Sequence, residues 1–345
     1  MSRPRQPPFA ARTEDRVTHA VTAVLSRRGW IGSVVPFTSY GADGWIRVVA
    51  RALLARPRGP RTAASRGWRA FFTAPLHGAE VYIAVPGYPD AFVATADRQG
   101  YLDVRIDATL PPGWHELGFR VGAGPSVSGR MLVVDPAARF GLVSDIDDTA
   151  VITALPRPFV AAWNTFAVHE HARRPVPGMA EFYQAWLTEH PGSPTFYLST
   201  GAWNTHGLLA RFLATHGYPA GPLLMTDWGP TNTGFFRSGP AHKRAELKRL
   251  AVDFPLLRWL LVGDDGQHDP LLYTEFASEH PGNVDAIGIR ELTPGEHVLA
   301  HGTPIPAPDS TNRREVPVAV QVARGADGHE LAWALIAEQP GRHEL

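Results

Sequence analysis

From Arg139 onward the chain alternates short apolar runs with segments of helical composition. The apolar runs predict strands at 139–144, 194–199, 222–226, 258–263 and 284–289. The segments between them predict helices near 178–190, 204–216, 240–252 and 270–279. Strands that alternate with helices are typical of a parallel sheet covered on both faces. We therefore predict an α/β fold for this part of the chain.

The pattern is different from about residue 30 to residue 135. Here short β-rich runs are separated by Gly and Pro at a spacing of about ten residues, which is typical of an antiparallel β-sandwich. These runs are Trp45 to Ala50, Ala79 to Val85, Ala91 to Thr95, Tyr101 to Ile106, Glu116 to Val121 and Gly129 to Val134. This part offers no catalytic constellation.

The length of 345 residues suggests two domains at about 150 residues each. We predict a disordered N-terminus at 1–15 and a helix plus a β-sandwich-like accessory domain at 16–135. An α/β domain follows at 136–300. Pro304, Pro306 and Pro308 indicate a linker, so 301–345 is predicted to be a Pro-rich linker with a C-terminal helix.

The chain contains no cysteine, which excludes disulfides, thiolate nucleophiles and cysteine zinc sites. Its apolar runs are much shorter than the roughly 20 residues that span a bilayer. The N-terminus has no clear cleavage site. We therefore expect a cytoplasmic protein without a transmembrane segment.

Charge is distributed unevenly. Residues 1–70 contain thirteen Arg and three acidic residues, a net charge of +10, although the whole chain is neutral. One interpretation is that these Arg residues keep the first domain soluble or face a negative second domain. The other is that they bind an anionic surface. Trp30, Trp45 and Trp68 lie among the Arg residues, a mixture that suits a membrane interface as well as nucleic acid.

The first strand of the α/β part ends in Asp145-Ile146-Asp147-Asp148-Thr149. The carboxyl ends of strands in open α/β sheets are where ligands bind. Two carboxylates this close repel each other unless a cation or a shared proton relieves the repulsion, and Mg²⁺ is the natural cation. The alternative is an acidic surface turn that caps the next element.

Later strands of the same predicted sheet also end in polar residues. The strand predicted at 194–199 ends in Ser199-Thr200-Gly201, and the strand predicted at 258–263 ends in Gly263-Asp264-Asp265-Gly266. Between them in the chain, Lys243 lies at the start of a predicted helix. A hydroxyl, a lysine and a further carboxylate are thus expected beside Asp145. Such a site suits a phosphoryl group.

Phosphoryl transfer needs a nucleophile, neutralisation of the equatorial oxygens and a proton for the leaving group. Asp145 is predicted to attack phosphorus and form an aspartyl phosphate. Asp147 is predicted to protonate the leaving oxygen and then to activate water. Thr149 is predicted to orient Asp147 or to stabilise the turn.

Two further sets of residues complete the predicted site. Ser199, Thr200, Gly201 and Lys243 are expected to bind the phosphate oxygens. Mg²⁺ is expected to be held by Asp145, the backbone carbonyl of Asp147 and Asp264, with metal-bound water held by Asp265 or Asp269. Taken singly, several of these residues have structural explanations, for example Asp269 as a helix cap before Pro270.

These motifs resemble those of the haloacid dehalogenase (HAD)-like phosphohydrolases, over about residues 139–290. The four motifs are Asp145-x-Asp147-x-Thr149, Ser199, Lys243 and Gly263-Asp264-x4-Asp269. The resemblance implies a HAD-like Rossmannoid parallel sheet. The gaps from 150 to 193 and from 201 to 242 leave no room for a large cap domain.

Within that superfamily the chain resembles the actin-patch-protein type of phosphatidate phosphatase, which shares its DxDxT motif with the lipins. The similarity lies in Ser144–Thr149, in Phe196–Ser199 followed by Trp203, and in His242-Lys243. Upstream, Tyr40-Gly41, Gly100–Asp103 and Leu110–Trp114 are similar to the β domain of that family. Two departures are Gly201-Ala202, where Ser-Pro is usual, and Asp265, where serine is common.

The resemblance implies a Mg²⁺-dependent phosphatase that converts phosphatidate to diacylglycerol and phosphate. The expected substrate is a lipid headgroup at an anionic membrane surface, bound peripherally, and no nucleic-acid partner is expected. Two alternatives stay open at this point. One is a HAD phosphatase for a soluble phosphate ester or a phosphoprotein, and the other is an inactive module that binds a membrane or a partner.

Overall fold

The computed structural model describes residues 24–25, 27–55, 74–152, 173–226, 239–266, 268–301 and 320–337. The predicted disorder at 1–15, most of the predicted helix at 16–29 and the linker around Pro304 lie outside these residues. The chain divides into two compact units, with a boundary between Pro136 and Ala137.

The first unit is built on a nine-stranded sheet. Its strands are β1 (Ile31–Pro36), β2 (Ser39–Ala42), β3 (Trp45–Ala55), β4 (Ala74–Pro75), β5 (Glu80–Ala84), β6 (Phe92–Thr95), β7 (Tyr101–Asp107), β8 (Gly113–Val121) and β9 (Val127–Val133). The order is β1-β3-β2-β9-β8-β5-β6, and β4 and β7 also pair with β3.

The six strands predicted for this unit are confirmed, within a few residues at their ends. The prediction of a purely antiparallel arrangement needs one correction, because β2 and β9 pair in parallel. Strands β1, β2 and the two-residue β4 were not predicted. The reason can be seen in β1 and β2. Their sequences, IGSVVP and SYGA, contain Gly, Ser and Pro and lack regular alternation, although both lie within the sheet.

The second unit contains a six-stranded sheet in which every pair is parallel. Its strands are β10 (Phe140–Asp145), β13 (Thr195–Ala202), β14 (Leu223–Thr226), β15 (Arg258–Asp264), β16 (Val284–Arg290) and β17 (Gln321–Gly325). A separate two-stranded antiparallel sheet is formed by β11 (Val151–Ile152) and β12 (Arg174–Pro175), which follow β10 in the chain. The parallel sheet confirms the predicted α/β class, with strands close to the predicted bounds.

Six helices accompany this sheet among the described residues. They are α1 (Met179–Glu189), α2 (His206–Thr215), α3 (Gly239–Asp253), α4 (Asp269–Glu279), α5 (Pro294–His301) and α6 (Gly328–Ala337). Residues of α1, α2 and α6 share one hydrophobic core with Leu142, Leu260 and Val262. Helices α3 and α4 contact each other, β13 and β15. The sheet is therefore covered on both faces, as its apolar strands require.

The strand order is β14-β13-β10-β15-β16-β17. Strand β10 is the first strand of this sheet in the chain and lies at its centre. It pairs on one side with β13, the next strand of the same sheet in sequence, and on the other side with β15. The direction of strand addition reverses here, and in open α/β sheets ligands bind outside the carboxyl ends of the strands at this switch point. The fold thus places the ends of β10 and β15 at the position best suited to a site.

Strand β17 and helix α6 complete this unit. The sequence predicted a final helix but not β17, because QVARG is short and polar. In the structure β17 pairs with β16 over five residues, and Leu331 of α6 is fully buried in the core. No helix among the described residues is long and apolar enough to cross a membrane.

If α6 belongs to the core of the second unit, its two faces differ in energetic importance. Leu331→Ala should lower the free energy of unfolding by about 2–5 kcal/mol, because Leu331 is 0% exposed. Trp333→Ala on the same helix should change it by less than about 0.5 kcal/mol, because Trp333 is 72% exposed. Urea titration measures both, and equal effects would contradict this placement.

Candidate functional site

The site is built from residues on four elements at the carboxyl edge of the parallel sheet. Asp145 ends β10, Asp264 ends β15, Lys243 lies in the first turns of α3, and Asp269 begins α4. All four side chains are at most 2% exposed. These residues, far apart in the chain, therefore form one buried charged cluster.

Alternation along β10 explains why Asp145 meets α3 and α4. Leu142 and Ser144 face α1, since Leu142 is in its core and Ser144 bonds with Tyr183. Asp145 therefore points to the opposite face. Here Lys243 Nζ lies 2.7 Å from Asp145 Oδ1 and 2.6 Å from Asp269 Oδ1. The ammonium group bridges two carboxylates.

Gly263 permits the close approach of α4 to β15. A Cβ atom at this position would lie 2.6 Å from Asp269 Oδ2 and 2.8 Å from the ring of Tyr273. Such distances are sterically impossible without displacement of α4. Glycine directly before Asp264 thus allows the carboxylates of Asp264 and Asp269 to lie beside that of Asp145.

The cluster carries more negative than positive charge. Burial raises the pKa of Asp145 well above its ordinary value; Lys243 opposes this shift, and Asp269 and Asp147 add to it. Burial likewise raises the pKa of Asp264, with further contributions from Asp269 and Asp145. The pKa of Lys243 is lowered by burial but raised more strongly by Asp145, Asp269 and Asp264, so the ammonium form is favoured.

The donor set fits a hard divalent cation. Asp145, Asp264 and Asp269 each offer a carboxylate oxygen, and these oxygens lie within 4.8 Å of one another. Asp264 Oδ2 and Asp269 Oδ2 are buried and accept no hydrogen bond from the residues described. Buried carboxylate oxygens without donors are costly. An ion that prefers oxygen ligands, such as Mg²⁺, would satisfy them.

Asp147, two residues after Asp145, is partly exposed. Ser199 Oγ donates a hydrogen bond to Asp147 Oδ2 at 3.2 Å and accepts one from the backbone N–H of Gly201 at 2.9 Å. The hydroxyl of Thr149 is nearest Asp145, with a long contact of 3.4 Å to its Oδ2. From the sequence we predicted that Thr149 orients Asp147 or stabilises the turn, and the structure places its hydroxyl beside Asp145.

The other predicted residues lie at the edge of the site. The backbone carbonyl of Thr200 accepts a hydrogen bond from Thr226. Asp265 Oδ1 accepts the N–H of Leu292 at 2.9 Å and lies 3.5 Å from His297 Nε2. Asp265 is thus turned toward the segment after β16, outside the converging carboxylates. The structure brings together Asp145, Asp147, Ser199, Lys243, Asp264 and Asp269.

One residue that contacts the site loop was missed in the sequence. Arg290, at the end of β16, donates a hydrogen bond to the backbone carbonyl of Asp148 at 2.7 Å. A strand-end position was a signal, since the other site residues share it. Arg290 was overlooked because a single Arg at a strand end is usually a surface residue.

A comparison with protein families identifies a similarity that covers most of the site residues. Residues 140–291 match the family model described as phosphatidate phosphatase APP1, catalytic domain. Over 151 residues the chain is 27% identical to phosphatidate phosphatase APP1 of Saccharomyces cerevisiae, which covers 44% of this chain. In this match the chain spans only 25% of that relative's length.

Solved structures give weaker similarities. A carbohydrate acetylesterase from Xanthomonas citri aligns with 88% of this chain and 74% of its own, at 12% identity and a TM-score of 0.31. A 2,6-sialyltransferase from Photobacterium covers 86% of this chain and 57% of its own, at 8% identity and a TM-score of 0.26. Similarities with such low TM-scores indicate neither a shared fold nor a shared function. On the family match, residues 140–291 are similar to the catalytic domains of the APP1-type phosphatidate phosphatases.

Proposed function

We propose that this chain is a Mg²⁺-dependent phosphatase that hydrolyses phosphatidate to diacylglycerol and phosphate through an aspartyl-phosphate intermediate. The observation that carries this proposal is the buried cluster of Asp145, Lys243, Asp264 and Asp269. The partly exposed Asp147 follows two residues after Asp145. Its setting in a segment that matches a phosphatidate phosphatase family supports the choice of substrate.

The reaction proceeds in two displacements. In the first, an oxygen of Asp145 attacks phosphorus, the bond between phosphorus and the diacylglycerol oxygen breaks, and Asp147 donates a proton to that oxygen. In the second, Asp147 takes a proton from water, whose oxygen attacks the phosphoryl group and releases phosphate and Asp145. The different environments of the two residues suit these roles, because Asp145 is buried and Asp147 is accessible.

Neighbouring groups position the reactants. Ser199 contacts Asp147 and is oriented by the N–H of Gly201, so its hydroxyl can hold both the acid and a phosphate oxygen. Lys243 fixes Asp145 through a 2.7 Å ion pair and supplies positive charge for the phosphoryl oxygens. Thr200 and Gly201 line the same strand end.

Asp145, Asp264 and Asp269 would hold the ion, together with the backbone carbonyl of Asp147. When bound, Mg²⁺ supplies charge that lowers the repulsion between the carboxylates and the phosphate. Asp265, which is hydrogen-bonded to Leu292, would support this set from outside.

We assign the second unit to a HAD-like Rossmannoid fold without a large cap domain. In support, Asp145 ends the central first strand. The described parts of the segment 150–193 contain β11, β12 and α1, and those of the segment 201–242 contain a 3₁₀ turn at Trp203–Thr205, α2, β14 and the start of α3. A site without a large cap suits a headgroup that stays in a membrane. The thirteen Arg residues in 1–70 suit peripheral binding to an anionic surface, and hence a cytoplasmic protein that visits membranes.

Asp145→Asn should abolish the reaction while preserving the fold. Phosphate release from phosphatidate in mixed micelles with Mg²⁺ should fall at least about 10³-fold, because the amide cannot act as the nucleophile. Asp285→Asn is a matched control, because Asp285 lies on the same sheet and pairs with Arg258 at the opposite edge. Turnover that survives in Asp145→Asn would refute the assignment of the nucleophile.

The same assay applied to other substrates tests the choice of phosphatidate. We expect phosphatidate to be hydrolysed faster than glycerol phosphate, sugar phosphates and phosphopeptides in the presence of Mg²⁺. Faster hydrolysis of a soluble ester would indicate that the same catalytic groups act on a soluble substrate and not on phosphatidate. Liposome binding without turnover of any ester would indicate a binding module instead.

Metal binding can be measured without turnover by comparing Asp264→Asn with the original chain. In EDTA the substitution should raise the thermal midpoint, because it removes a buried carboxylate whose ionised form is disfavoured while the Gly266 N–H keeps an acceptor. At Mg²⁺ near 100 Kd the original chain should gain about 2.7 kcal/mol and the variant much less. Equal stabilisation of both chains by Mg²⁺ would show that Asp264 is not a metal ligand.

A further inference from the structure

Arg290 is a buried cation that no step of the proposed reaction uses. Its side chain is 3% exposed and makes three hydrogen bonds. Nη1 donates to the carbonyl of Asp148 at 2.7 Å, Nε to the carbonyl of Ala326 at 3.1 Å, and Nη2 to Glu296 Oε1 at 2.6 Å. The guanidinium group therefore joins three separate segments of the second unit.

The position of Arg290 in the sheet explains why an arginine is needed. Arg290 is in register with Asp264 on the neighbouring strand β15, and β10 lies one strand further. Adjacent strands are about 4.8 Å apart, so the side chain must reach roughly 10 Å to the chain that leaves β10. Arginine is long enough and presents several donors in a fixed plane, which lysine does not.

The segment that Arg290 contacts is a strained turn. Asp148 has a φ of 59°, and no other non-glycine residue in the described parts of the chain has a positive φ. Such a conformation persists only when surrounding bonds enforce it. The N–H of Asp148 donates to the carbonyl of Val151 at 2.8 Å, and its own carbonyl is the one that Arg290 binds.

This turn carries the groups on which the proposed chemistry depends. Asp148 is flanked by Asp147 and Thr149, and the carboxylate of Asp147 has a 3.2 Å contact with Ser199. Because the side chain of Asp147 is only partly buried, the backbone of the turn must set its direction. A fixed carbonyl at Asp148 fixes that backbone.

Two further hydrogen bonds, to Glu296 and to the carbonyl of Ala326, fix the side chain of Arg290. Glu296 accepts hydrogen bonds from the backbone N–H and the hydroxyl of Thr293, and Thr293 Oγ1 accepts the N–H of Glu296, a reciprocal cap of α5. The Arg290 bond lowers the pKa of Glu296 against the effect of its burial, so this residue stays ionised. Ala326 lies between β17 and α6. The support of the turn thus includes residues beyond the family match, which ends at 291.

We propose that Arg290 is a positioning residue that holds the turn at residues 146–151 and thereby aims the carboxylate of Asp147. The inference rests on the proposed function for its catalytic consequence. Its structural content, the fixed turn, can be measured independently of turnover.

The first arm of the test is amide hydrogen exchange in full-length Arg290→Gln. The N–H groups of Asp148, Ala150 and Val151 are hydrogen-bonded within the turn. Their exchange should become at least about tenfold faster in the variant, because the turn opens locally. Glu296→Gln is the matched control, because it removes the charge of the ion pair but keeps an amide oxygen that can accept the hydrogen bond from Nη2, and it leaves the bonds of Arg290 to Asp148 and Ala326 in place. Exchange in the turn should change less than threefold in this control.

The second arm measures Mg²⁺-dependent hydrolysis of phosphatidate and of p-nitrophenyl phosphate. Arg290→Gln should lower kcat about 100-fold with KM changed less than about threefold, because a misplaced Asp147 slows the activation of water for both esters, and protonation of the leaving oxygen for phosphatidate, more than it weakens binding. Glu296→Gln should keep kcat within threefold. Arg290→Lys, which can bond to one acceptor but not to all three, should recover part of the lost kcat and give a folded variant if Arg290→Gln is unstable.

The two arms separate the inference from the function on which it rests. Unchanged exchange in the turn of Arg290→Gln, or equal kcat losses in Arg290→Gln and Glu296→Gln, would overturn the positioning role. If the original chain hydrolyses neither ester, the proposed function fails, and faster exchange in Arg290→Gln alone would still support the hold on the turn.

Discussion

The ion pairs of Lys243 with Asp145 and Asp269 are the interaction on which the second unit depends. They place one ammonium group among three buried carboxylates contributed by β10, β15 and α4. A carboxylate that is buried without a compensating charge is strongly destabilising. Loss of the Lys243 ammonium group, or of the interactions that stabilise Asp264, would therefore destabilise the carboxyl edge of the parallel sheet. The same excess of negative charge that costs stability gives the site its attraction for a divalent cation.

Much of the surrounding fold serves to hold these charges in place. Tyr183 bonds with Ser144 directly before Asp145, and Tyr273 donates to the carbonyl of Val262 two residues before Asp264. Arg290 holds the turn after β10 from the other side. The ends of β10 and β15 are thus each supported by a buried polar side chain from another element. Such support is what keeps a charged site in a single geometry.

The sequence predicted the central strands and the site residues more successfully than the contacts between them. Strands β10, β13 and β15 are continuous apolar runs, so both their existence and their polar ends could be read directly. Strand β17 could not, because a short polar strand at a sheet edge has no such signal. Asp145, Lys243, Asp264 and Asp269 lie together because parallel strands bring their carboxyl ends to one edge of the sheet.

The contacts themselves required coordinates. Nothing in the sequence distinguishes an Asp265 that faces the ion from one that accepts the N–H of Leu292, since both positions follow the same strand. The hold of Arg290 on Asp148 joins residues 142 positions apart and depends on the order of three strands. Side-chain direction and long-range pairing therefore set the limit of what residue patterns could predict.

The claim at the centre of this account is that Asp145 becomes phosphorylated. It can be tested by mixing the Mg²⁺-loaded protein with phosphatidate, stopping turnover with acid, reducing acyl phosphates with borohydride and mapping the peptides by mass spectrometry. The account predicts that residue 145 is recovered as homoserine, in proportion to the enzyme trapped, and that Asp147 and Asp264 are unchanged. Steady turnover with Asp145 recovered only as aspartate, or homoserine at another position, would contradict it.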